Sequence, residues 1–139
     1  MTKTLLAALA LGTAVILAGP ARAETLKATL DGKSEVPANT SAGTGTADVN
    51  YDAATKKMTW KLTYSGLSGP ATAAHFHGPA EAGKNAGVKV PIANPTTSPV
   101  EGSATLTDEQ AADLVAGKYY VNIHTAANPG GEIRGQVTK

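Results

Sequence analysis

The sequence contains no cysteine. That excludes a disulfide framework, a thiol nucleophile and a thiolate metal site together, and it leaves no thiol through which a lipid could anchor the chain. A long hydrophobic run is missing too. The apolar stretch from Leu5 to Ala18 is well short of the ~20 residues that a membrane-spanning helix needs. Net charge is nearly absent: the formal value is +1, and a near-neutral chain offers no basic footprint for nucleic acid or an anionic membrane. There is no Gly-x-Ser-x-Gly elbow, no Walker loop and no Asp-x-Asp-x-Asp calcium loop. The acidic residues are too scattered to argue a glycosidase-like carboxylate pair. With no catalytic motif, a non-enzymatic protein is expected.

What is present begins with an export signal. Lys3, the apolar run and Ala21-Arg22-Ala23 supply the positive start, short apolar core and small-x-small triplet of a cleavable signal peptide over residues 1–23. Cleavage is expected between Ala23 and Glu24. The remaining residues, 24–139, are of the size at which one core suffices, so one domain is expected. Without Lys3 and Arg22 it carries ten Lys+Arg against eleven Asp+Glu. Its expected place of work is outside the cytoplasm, periplasmic or extracellular, with no membrane attachment after cleavage.

From Glu24 onward the pattern has period two, cut by Gly, Pro and Asn. Met58, Trp60, Leu62 and Tyr64 share one face of a segment whose other face is Thr59, Lys61 and Thr63, the mark of a half-buried strand. Thr44–Tyr51 is its expected hairpin partner, joined through Asp52-Ala53-Ala54-Thr55. Further strands are expected at Leu26–Leu30, Ala71–His77, Val88–Ile92, Gly102–Leu106, Lys118–His124 and Glu132–Thr138. Short strands at this spacing predict an all-β sandwich or barrel. One short helix interrupts them over about residues 107–116. Thr107 supplies its N-cap, Gln110 the third helical position, Ala111, Leu114 and Val115 the apolar stripe, and Gly117 the stop. Asp108 and Glu109 at its start favour the helix dipole and are read as structural.

All three histidines lie in two of these strands. Alternation puts Ala74 and Phe76 on one face and His75 and His77 on the other; it separates Tyr119, Val121 and Ile123 from Tyr120, Asn122 and His124. The apolar sets claim the core, which leaves the histidines on the outer face, with Asn122, Glu132 and Arg134 as supporting polar residues. Arg134 is the only arginine after residue 23, which suggests a role for its planar fork. Two imidazoles at i and i+2 stand roughly 6.6 Å apart along a strand. Rings that lean together can share one metal, and imidazole suits copper or zinc. A site of His75, His77 and His124 requires their strands to be close. The competing expectation is that His75 and His77 only brace the loop at residues 78–87.

Four motifs carry a family resemblance: Glu35-Val36-Pro37, Ala74-His75-Phe76-His77-Gly78-Pro79-Ala80, Leu114–Thr125 around Tyr119-Tyr120-Val121-Asn122-Ile123-His124, and Gly130-Gly131-Glu132-Ile133-Arg134-Gly135-Gln136. In this order and spacing the sequence resembles the CHRD domain, named for chordin and found alone in exported bacterial proteins. The resemblance spans about residues 25–138. It implies an antiparallel, immunoglobulin-like or superoxide-dismutase-like β-sandwich, and a binding or structural module toward a protein or surface ligand. It supplies no catalytic residues. His-x-His on a strand also looks like the copper half of Cu,Zn superoxide dismutase, but three histidines are too few for that bimetallic site.

Overall fold

The computed structural model describes residues 14–15 and 23–139. The expected signal peptide therefore lies outside the described residues, apart from Ala14, Val15 and Ala23. Ala23 opens strand β1, paired with Asp52.

The elements run β1 (Ala23–Asp31), β2 (Thr44–Asp52), β3 (Lys57–Ser65), β4 (Ala71–His77), β5 (Val88–Pro91), β6 (Val100–Thr105), α1 (Asp108–Val115), β7 (Tyr119–Thr125) and β8 (Ile133–Val137). The all-β expectation holds, with one short helix among the described residues. The two halves of the expected sandwich are joined: all eight strands form one antiparallel sheet in the order β5-β4-β7-β8-β1-β2-β3-β6, which closes nearly into a barrel.

Period-two alternation builds the interior. Val49 on β2, Met58, Trp60 and Leu62 on β3, Phe76 on β4 and Ile123 on β7 all point into one core. Each such side chain contributes about 1.5–3 kcal/mol by leaving water. Trp60 and Phe76 come from opposite halves of the sheet and meet edge-to-face, their ring centroids 5.2 Å apart, which is where the sheet folds onto itself.

The helix forms as its sequence dictates. The Gln110 N–H donates to Thr107 Oγ1 at 3.1 Å, and the Thr107 N–H donates to Gln110 Oε1 at 3.0 Å. Ala111 and Leu114 bury against the sheet, and Gly117 ends the helix at φ 77°, where a side chain would be strained. Asp108 pairs with Lys56 at 2.6 Å, in keeping with a structural role.

Candidate metal site

Pairing sets the site before any side chain is placed. β7 lies between β4 and β8, so His75 is opposite Asn122 and Asn122 opposite Arg134; in the next row His77 faces Tyr120 and Tyr120 faces Gln136. His124 faces Ala73, one step further along. The strands that needed to be close are neighbours.

The three imidazoles converge. One ring nitrogen of each lies within 4.8 Å of those of the other two. His75 Nδ1 is 3.2 Å from His124 Nε2, and both His77 Nε2 and His124 Nε2 are 3.0 Å from the same atom, Asn122 Oδ1. The far nitrogens are committed elsewhere: His77 Nδ1 is 2.9 Å from Ala86 O and His124 Nδ1 is 2.8 Å from Pro129 O. A carbonyl only accepts, so a neutral ring that donates to Ala86 O or Pro129 O carries its proton on Nδ1 and turns its Nε2 lone pair toward Asn122 and the other rings. Burial lowers the pKa of His75, and the charges of His124 and His77 lower it further. Burial also lowers that of His77, against the upward pull of its bonds to Ala86 and Asn122. Neutral imidazole is the form that binds metals.

The face is not open to solvent, contrary to the expectation from alternation. His77, Asn122 and Arg134 are 9%, 3% and 2% exposed. The loop at residues 78–87 folds back over them. Arg134 uses its fork to hold that loop: Nη1 donates to Asn85 Oδ1 at 2.9 Å and Nη2 to Lys84 O, while its Cζ sits 3.4 Å from the Tyr120 ring centroid. Tyr120 in turn stacks on His77 at 4.7 Å and exchanges hydrogen bonds with the Ala86 backbone. The expected bracing of the loop by His77 is therefore real, and it coexists with the cluster. Arg134 is a strap.

Glu132 must be taken off this face. β8 starts at Ile133, so strand alternation does not govern residue 132. Its carboxylate turns instead to Ser41 Oγ (3.0 Å), Ser68 N–H (2.9 Å), Ser68 Oγ, Thr125 Oγ1 (2.8 Å) and Asn128 Nδ2 (2.9 Å), all donors. Burial alone would raise its pKa; the Ser68 hydroxyl and N–H, Thr125 and Asn128 outweigh it and hold the carboxyl at about 2.

Glu35 takes a place at the site that sequence reasoning did not assign. It enters from the loop after β1, is 6% exposed, and has one oxygen, Oε1, without a hydrogen-bond partner among the described residues. Burial raises its pKa to about 7, against the opposing pulls of Arg134, the Asn122 side chain and the Val36 backbone. Gly131, at φ 129°, makes the room: a Cβ there would collide with Glu35 Oε1 and stand 2.8 Å from Asn122 Nδ2. The only signal in the sequence was the Glu35-Val36-Pro37 motif itself.

The family model of the CHRD domain matches residues 26–137. The chain belongs to the CHRD family. Comparison with curated proteins and with solved structures found no match. In this CHRD domain the four motifs, far apart in sequence, meet at one place: Glu35, the His-x-His strand, Tyr120 to His124, and Arg134.

Proposed function

We propose that this CHRD domain is a non-enzymatic binding module, exported from the cytoplasm, whose ligand is a single copper or zinc ion held by His75, His77 and His124. The convergence of three imidazole nitrogens carries the reading. Lone pairs that face one another repel unless a proton or a cation sits between them, and backbone carbonyls have fixed the protons of His77 and His124 on the outer side. A tetrahedral ion with bonds of 2.0–2.1 Å needs ligand atoms about 3.3 Å apart. The His75–His124 pair, at 3.2 Å, is already at that spacing, and the widest separation of 4.8 Å closes by a swing of ring positions. His75 is free to make that swing, being half-buried with no backbone carbonyl among its hydrogen-bond partners in the described residues.

A flat polar face toward a protein or polymer is less well supported, because the loop at residues 78–87 roofs it. Calorimetric titration of residues 24–139 with copper or zinc, with elemental analysis of the purified protein, tests the proposal. Expected is one equivalent bound and lost in the His75→Ala, His77→Ala double variant. No binding tighter than about 10 µM, or binding indifferent to that variant, overturns it.

A further inference from the structure

We infer that Asn122 supplies a fourth ligand, its side-chain carbonyl oxygen, making the site three nitrogens and one oxygen and biasing it toward divalent ions over Cu(I). The inference rests on the three-histidine reading and deepens it. Asn122 Oδ1 stands 3.0 Å from His77 Nε2 and 3.0 Å from His124 Nε2. In neutral rings that donate across to the carbonyls of Ala86 and Pro129, both nitrogens carry lone pairs rather than protons. An amide oxygen aimed at two such nitrogens is three acceptors with no donor among them. The spacing is close to the edge of a tetrahedron with bonds of about 2.0–2.2 Å to nitrogen and oxygen.

The amide is held in this orientation from behind. Its Nδ2 end lies over Gly131, beside the buried carboxyl of Glu35, whose Oε1 has no hydrogen-bond partner among the described residues. With Glu35 ionised, turning the amide over would set its oxygen against that carboxyl oxygen. Asn122 is itself 3% exposed and sits in the central strand of the site, so its position does not depend on a mobile loop. Carbonyl oxygen is a hard donor. Zn(II) accepts an oxygen beside imidazoles, whereas Cu(I) is selected by soft sulfur ligands and gains little from an oxygen.

The test is titration of wild type and Asn122→Leu with Zn(II) and, anaerobically, with Cu(I), far-ultraviolet dichroism confirming the fold of each. The expected result is a loss of tenfold or more in Zn(II) affinity with Cu(I) affinity changed less than about threefold. An unchanged Zn(II) affinity, or equal losses for both ions, would mean that Asn122 only positions the histidines, and overturns the inference while leaving the three-histidine site standing. Absence of binding in the wild type would overturn the site itself. Should Asn122→Leu fail to fold, the exchange variant Asn122→Asp, Glu35→Gln keeps an oxygen toward the histidines and a donor behind it. Retained or tighter Zn(II) binding is expected there; its loss would count against the inference.

Discussion

Glu35, packed against Gly131, and Glu132, the next residue along, bear two buried carboxyl groups that are opposites. Glu132 is ringed by donors from Ser41, Ser68, Thr125 and Asn128, and its pKa falls to about 2. Glu35 is just as hidden, yet one of its oxygens has no partner and its pKa rises to about 7. Beside Glu35 the shortage of donors continues through Asn122 Oδ1 to two bare imidazole nitrogens. A buried polar cluster that is complete stabilises the fold. One that is short of positive charge or donors costs stability and is arranged to receive something. Burial alone does not distinguish the two; the sign of the missing partner does.

The largest effect belongs to the complete cluster. Glu132→Ala leaves several donors facing an empty space and is expected to cost about 3–5 kcal/mol in urea unfolding, without changing metal stoichiometry. A cost below 1 kcal/mol would remove Glu132 from its structural role. Acid should reveal the same group. Its folded pKa of about 2 lies below the ordinary 4.5, so its contribution is full above pH 4.5 and lost as the pH falls toward 2. That difference is about 3 kcal/mol, and Glu132→Gln should flatten this limb of the stability curve.

Glu35 runs the other way. A raised folded pKa favours the protonated form, so its contribution is full below pH 4.5 and lost as the pH rises through about 7. In metal-free protein, Glu35→Gln should gain on wild type by about 2.5 kcal/mol between pH 5 and pH 8. A variant that loses ground over that range would contradict the contrast. The smallest effect is at the strap. Tyr120→Phe removes the hydroxyl that binds Ala86 in both directions and should cost about 1 kcal/mol, read as faster amide exchange in the loop at residues 78–87.

Much of this was legible in the sequence. Strict alternation in Met58–Tyr64 and in Ala74–His77 is a local property, and the strands and their inward faces follow from it. The capping pattern from Thr107 to Gln110 fixed the helix in the same local way. The histidines were gathered correctly on the non-core face of their strands. That β4 and β7 are neighbours is a long-range pairing between residues about fifty apart, which periodicity cannot supply. The roof over the site was also hidden, because covering by the loop at residues 78–87 depends on Arg134 reaching Lys84 and Asn85. Glu132 was misplaced for a definite reason: strand alternation was extended one residue before Ile133, into the turn where Gly131 has positive φ.

The central claim is that the incomplete cluster receives a metal ion through three histidines. Electron paramagnetic resonance of the protein loaded with one equivalent of Cu(II) tests it most directly. Superhyperfine structure from three imidazole nitrogens is expected, giving way to the spectrum of unbound copper in the His75→Ala, His77→Ala variant. A spectrum of free or amine-bound copper, the same in both proteins, would contradict it.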